Sequence, residues 1–199
     1  MKLSFDLEKE FGFYGAYHNN VWNILTHIVC VPAILWSAML LTTYLSGSLT
    51  LFYIPEIPGV FQAFPINGAA IIALVYGLYY ISLETFAGLT MSGLLFAQTL
   101  GVNAFMATVP EYALVTGIVI QVIGWAAQVL SHLFFEGRAP ALLDSFGQSL
   151  MLAPLFVWME VLFFFGYKKE LHKKIQATID KNIQANRLKK SEIVANKQS

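Results

Sequence analysis

Three of the chain's four histidines stand among amide and carboxylate side chains at helical spacings, and those spacings carry the chemistry. Near the N-terminus the chain reads Tyr14-Gly15-Ala16-Tyr17-His18-Asn19-Asn20-Val21-Trp22-Asn23, with His27 four residues further on. Asn23 and His27 therefore share a helix face. His18 precedes His27 by nine residues, half a turn out of phase on a continuous helix. The two imidazoles converge only if a helix begins between them, and Asn19 or Asn20 is a suitable N-cap for that start. A second group, Gln128, His132 and Glu136, repeats every four residues and is followed by Arg138. Taken singly, each group has a plain structural reading: a histidine at a membrane interface, or a Glu136 ion pair with His132 or Arg138. Together they offer three imidazoles, with or without a carboxylate, which suits a divalent transition metal. Two histidines and a carboxylate form the usual open site of non-haem Fe(II) oxygenases, although imidazole by itself does not choose between iron, zinc and nickel. Asn23, Gln128 and Glu136 can orient the second ring nitrogens. Glu160, alone in an apolar run, is a further candidate partner for a site histidine or Arg138, with a purely structural role as its other reading.

Such residues need elements to hold them, and the composition says what kind. Of 199 residues 57% are hydrophobic and 12% charged, about half the charge of a typical soluble domain. That excludes a disordered chain and argues against a single-domain soluble enzyme. Acidic and basic residues balance at twelve each, so nothing points to nucleic acid. A single cysteine, Cys30, excludes an internal disulfide framework and a Cys-cluster metal site.

Five apolar stretches, 24–45, 66–83, 86–107, 112–135 and 149–165, each approach the ~20 residues a helix needs to cross a bilayer. None alternates as a barrel strand would, and backbone in lipid must satisfy its own hydrogen bonds. The expected fold is an all-α integral membrane bundle of four to six transmembrane or re-entrant helices. Pro55, Pro58, Gly59 and Pro65 separate the first two stretches, Pro110 the third from the fourth, and Pro140 follows the fourth. Only Glu84 and Thr85 part the second and third, which predicts a tight hairpin. With four crossings, the start of the first stretch and the end of the fourth share a membrane side, which is where the histidines lie.

A membrane catalytic domain is expected over 1–167 and a basic, polar cytosolic tail over 168–199. Nine of the twelve Lys and Arg residues follow Tyr167, so the positive-inside rule places the tail in the cytosol. Leu171, Ile175 and Ile179 predict a short amphipathic helix there before a disordered end, with His172 solvated. Pro154 and Glu160 predict that the fifth stretch re-enters rather than spans, which puts tail and histidines on one face. The N-terminus has neither the basic flank nor the apolar core of a secretory leader, and no cleaved leader is expected.

At these residues the chain resembles the membrane family of 2-hydroxy-fatty-acid dioxygenases, typified by the fungal endoplasmic-reticulum enzyme of phytosphingosine degradation. The resemblance rests on Tyr14, Tyr17, His18, Asn23 and His27. It continues through Ser131-His132-Leu133-Phe134-Phe135-Glu136 with Pro140 and Ala141, and through Gln148, Ser149, Leu150, Ala153 and Pro154. It covers residues 11–167. Val21 stands where the family pattern has proline and Ser131 where it has glycine. Asn19 stands where some members carry a second histidine. The resemblance implies an Fe(2+)-dependent oxygenase of a multi-pass endoplasmic reticulum membrane, or of a bacterial inner membrane, removing one carbon from a 2-hydroxy long-chain fatty acid with molecular oxygen. It implies His18, His27 and His132 as metal ligands and Glu136 in the catalytic machinery, with Asn23, Gln128 and Glu160, taken from their own spacing and setting, as the candidates behind them. An α-hydroxy carboxylate chelates iron through two oxygens, its acyl chain would lie among the apolar helices beside membrane lipid, and Arg138 can pair with the carboxylate. The alternative is a non-catalytic lipid-binding or transport protein whose histidines form a proton or metal device.

Overall fold

The computed structural model describes residues 5–47, 49–56, 64–137 and 146–198. Among them are seven α-helices and one two-stranded sheet, an all-α fold as expected. Four helical segments, Val21–Leu45, Thr85–Thr108, Pro110–Glu136 and Gly147–Phe164, are long and apolar enough to cross a membrane. The chain divides into two compact units, Thr26–Gln128, and Met1–Leu25 with Val129–Ser199. The division passes through two long helices, α2 (Val21–Leu45) and α5 (Ala113–Ser131).

The Thr26–Gln128 unit holds most of α2, strands β1 (Phe52–Ile54) and β2 (Phe64–Ile66), helices α3 (Gly68–Leu83) and α4 (Thr85–Thr108), a short 3-10 turn (Pro110–Tyr112) and most of α5. Helices α2 to α5 carry no Asp, Glu, Lys or Arg. Their outward faces are aliphatic, with Leu74, Leu78, Val115, Val122 and Ile123 all exposed, as lipid-facing helices require. The connection after α2 contains an unpredicted antiparallel hairpin pairing Tyr53 with Pro65. Pro58 and Gly59 lie outside the described residues. At the start of α3, the side-chain oxygens of Asn67 and Thr43 accept from the Ala70 and Ala69 amides, both at 3.2 Å. The Glu84 carboxylate caps α4 by accepting from the Ala87 amide at 2.5 Å. The predicted hairpin turns there, and any Cβ on Gly88 would strike the backbone of Tyr80 and Ile81.

Polar side chains tie α2 to its neighbours. Gln98 of α4 donates to the Pro32 carbonyl at 3.1 Å, and Gln121 of α5 donates to the Ile34 carbonyl at 2.8 Å and the Ser37 hydroxyl at 2.9 Å. Gly117 and Gly124 lie beneath Leu41 and Ile34. Small residues at helical spacing allow the backbones this approach where lipid supplies no hydrophobic drive between helices. An apolar groove of about 970 Å³ runs between α3 and α4, lined also by Ile54 and Phe64 of the hairpin.

The second unit contains α1 (Leu7–Gly15), α6 (Phe146–Phe164) and α7 (Lys169–Gln198), together with the first turn of α2 and the last of α5. Asp6 caps α1 by accepting from the Lys9 amide at 3.2 Å. Pro154 does not interrupt α6, which continues through it for 19 residues, so the break on which the re-entrant expectation rested is absent. Tyr167 N–H bonds to the Leu162 carbonyl and Gly166 N–H to the Phe163 carbonyl, with Gly166 at φ +84°. This is a Schellman ending that needs a residue free to adopt left-handed backbone. Helix α7 is far longer than the short amphipathic helix expected, and Ile175 and Ile179 are buried beneath it. Its Thr178 hydroxyl donates to Glu8 at 2.9 Å, and its Asn182 amide to the Gly12 carbonyl at 2.8 Å. His172 is half-buried and stacks on Phe163 at 4.3 Å, so it is not the solvated residue expected.

Candidate metal centre

The segment joining α1 to α2 is short and bonded at every step. Tyr17 N–H and His18 N–H bond to the carbonyls of Tyr14 and Gly15, and the Asn20 side chain accepts from Trp22 N–H at 2.9 Å. Asn20 is therefore the N-cap, and the helix begins between His18 and His27 as their phases demand. His18 is pinned twice: its Nδ1 lies 2.9 Å from the Tyr14 carbonyl oxygen, and its ring stacks on Tyr14 at 4.1 Å and 6°. A carbonyl can only accept, so Nδ1 carries the proton and Nε2 keeps its lone pair. Tyr14 is itself almost fully buried, which pushes its phenol pKa above the usual range.

At the far end of the fourth stretch, residues His132–Glu136 form a π-helical turn, closed by Gly137 at φ +62°. The wider turn breaks the four-residue register expected of Gln128, His132 and Glu136. Insertions of this kind recur at functional sites because they re-aim side chains that a regular helix would hold in one row. His132 turns edge-on to His18, ring centres 4.7 Å apart. Glu136 turns elsewhere: its Oε1 accepts from the backbone N–H of Asn19 at 2.7 Å, of Asn20 at 2.8 Å, and from Asn23 Nδ2 at 3.0 Å. A carboxylate here meets the unpaired amides and positive dipole end of α2. Asn23, fully buried, completes the clasp by accepting from the Ser131 hydroxyl at 2.6 Å.

His27 stands one turn beyond Asn23 on the same continuous helix. Ligand-capable nitrogens of His18, His27 and His132 all lie within 4.8 Å of one another, and the three side chains are 4%, 2% and 1% exposed. Among the described residues no acid belongs to this group. The donors fit a divalent transition ion: three buried imidazoles, one with its tautomer set by a carbonyl. Phe156 of α6 packs against the His18 ring at 5.4 Å and the Tyr14 ring at 4.7 Å, closing that side with hydrocarbon.

The remaining candidates are placed as follows. Gln128 is buried one turn before His132. Glu160 is half-buried on α6, one turn past Phe156, and is not among the clustered ligand atoms. Arg138, Pro140 and Ala141 lie outside the described residues. Gln148 donates to the buried Glu10 carboxylate at 2.6 Å. Sequence reasoning assigned no role to Tyr14, Ser131 or Phe156. Ser131 and Tyr14 adjoin the histidines in sequence and could have been found, whereas nothing marks Phe156 among the chain's sixteen phenylalanines.

Residues 4–165 match the family model described as 2-hydroxy-palmitic acid dioxygenase Mpo1-like. The chain is 32% identical over 178 residues to the 2-hydroxy-palmitic acid dioxygenase MPO1 of Saccharomyces cerevisiae, covering 88% of this chain and 90% of the yeast protein. No solved structure matches.

Proposed function

Taking as premise that this chain belongs to the Mpo1-like family of 2-hydroxy-palmitic acid dioxygenases, we propose that it is a non-haem Fe(2+) dioxygenase that shortens 2-hydroxy long-chain fatty acids by one carbon. The overall change balances with one dioxygen: hydroxy acid and O₂ give the shortened acid, carbon dioxide and water. Four electrons leave the two carbons and four are taken up by oxygen, so no external reductant is required.

The observation that carries this reading is the convergence of His18, His27 and His132, three buried imidazoles from two sequence regions a hundred residues apart. Bound ferrous iron would supply positive charge for the α-hydroxy carboxylate and the redox capacity to engage dioxygen. The chain's own groups do the positioning. The Tyr14 carbonyl fixes the His18 tautomer, leaving Nε2 as its ligand atom. Glu136 gathers the start of α2 and so sets His18 and His27 relative to each other, while Asn23 and Ser131 join α2 to the His132 turn. Tyr14 and Phe156 keep water from one side of the imidazoles. Three neutral ligands leave the ion's charge uncompensated, which favours an anionic substrate over a neutral lipid. Arg138, two residues beyond Glu136, is assigned to the substrate carboxylate, and the acyl chain to apolar helix surface. The endoplasmic reticulum membrane is the proposed setting, with sphingoid-base degradation as the proposed source of the substrate.

The test is anaerobic purification followed by metal analysis and oxygen uptake. One iron per chain, and oxygen consumption that requires 2-hydroxy fatty acid but not the unhydroxylated acid, are expected. A lipid carrier with a histidine proton device would consume no oxygen. Bound iron with a Soret band would identify haem and overturn the non-haem assignment.

A further inference from the structure

Helix α6 has the length and hydropathy of a membrane span, yet its surroundings are not those of one. At its start, Gln148 donates to the Glu10 carboxylate of α1 at 2.6 Å. In its middle, Phe156 packs against Phe11 and Tyr14 of α1, with ring centres 5.5 and 4.7 Å apart. A Cβ on Gly15 would meet both Phe156 and Ile179 of α7. At its end, Phe163 stacks on His172 of α7. Its neighbours α1 and α7 carry Glu8, Lys9, Glu10, Lys173, Lys174, Asp180 and Lys181, too many charges to accompany a helix through hydrocarbon.

Exposure agrees. Along α5 eight large aliphatic side chains, Leu114 to Leu130, face outward, whereas among the described side chains of α6 the large apolar ones that do are Leu150 and Phe164. With 44% of its apolar stretch buried, α6 is the most covered of the four long apolar helices, as a helix packed against other helices is. Immediately after it, Phe164 and Phe165 are 86% and 79% exposed, and Lys168 and Lys169 follow. Exposed phenylalanines beside lysines suit a membrane surface, with rings toward the acyl chains and ammonium groups toward the headgroups.

We propose that α6 does not cross the bilayer, and that the α6–α7 corner is a membrane-surface anchor. Phe164 and Phe165 enter the outer part of the lipid layer, and Lys168 and Lys169 meet anionic headgroups. The crossings are then α2, α3, α4 and α5. Helix α3 crosses despite its 16 residues, because Asn67 at its start bonds to Asn103 near the end of α4, while its other end turns into the start of α4 at Glu84. Four crossings return the chain to the side it left, so α1, α6, α7 and the histidines share one membrane face.

Two measurements on the full chain in sealed vesicles, in a Cys30→Ser background, test this without reference to turnover. Single cysteines Lys9→Cys, Gly147→Cys and Lys169→Cys should all react with an impermeant thiol reagent from the same side. Labelling of positions 147 and 169 from opposite sides would overturn the proposal, since that pattern requires α6 to span. A Phe165→Cys variant carrying an environment-sensitive fluorophore should be quenched at least twofold by lipids bearing a nitroxide near the headgroup. Quenching that does not exceed that of the same probe at Lys173→Cys would remove the anchor. Loss of the dioxygenase reading would change neither result.

Discussion

Replacing Glu136 by Gln tests whether this carboxylate acts on substrate or holds the ligand framework. Its Oε1 accepts three N–H groups, two from backbone and one from Asn23. Gln keeps one accepting oxygen of the same shape and loses the charge. A charge-assisted hydrogen bond contributes about 1 kcal/mol more than a neutral one, and the start of a helix adds roughly 0.5 kcal/mol for an anion. Three bonds give an upper figure of about 3.5 kcal/mol, which partial exposure of Glu136 reduces to about 2. Because those bonds set the start of α2, the loss should appear as weaker retention of iron by His18 and His27, on the order of 10–100-fold as for other residues that orient metal ligands. Iron affinity would be measured by competition with a chelator, and kcat and KM by oxygen uptake at saturating iron. Substantial recovery of kcat in excess iron is the expected result for a positioning residue, with Glu136→Ala worse than Glu136→Gln on both measures. Unchanged iron affinity combined with abolished kcat would refute the reasoning and make Glu136 a group that acts on the substrate.

Single changes of His18, His27 or His132 to Ala should each remove bound iron and turnover while the protein still inserts; normal iron in any two would end the shared-site assignment. His172→Ala should retain iron and activity but lose about 1 kcal/mol with its stack on Phe163, read as a lowered melting temperature in detergent. Ser131→Ala deprives buried Asn23 of its 2.6 Å donor and should cost about 1–2 kcal/mol in stability, with iron retention lowered and Ser131→Thr recovering part of it. Gly88→Ala drives a methyl into the Tyr80 and Ile81 backbone. It should destabilise the α3–α4 hairpin by about 1–3 kcal/mol or more, visible as thermal instability with no specific effect on metal affinity.

Much of the architecture follows from local rules that the sequence carries without help. A run such as 113–131, with no charged residue, has no stable state in lipid other than a helix, so each apolar stretch became one within a few residues of its expected ends. The hairpin at Glu84 and the cap at Asn20 are equally local, because a side chain that satisfies amides two or three residues away needs no distant partner. The pairing of Asn23 with His27 depends only on the pitch of α2. What needed the tertiary structure were the places where a distant element decides between local options. The four-residue repeat of Gln128, His132 and Glu136 was read as one face, but the amides of Asn19 and Asn20 draw Glu136 aside through a π turn while His132 faces His18. Pro154 and Glu160 marked α6 as a broken segment. Packing of Phe156 against Phe11 and Tyr14 instead supports a continuous helix, since buried contact outweighs one missing backbone bond. His172, placed by composition among solvated lysines, lies against Phe163 because a Schellman turn brings the start of α7 beside the end of α6. Helical pitch and lipid solubility act within a few turns of chain, whereas a carboxylate with several amides in reach chooses its partners in three dimensions.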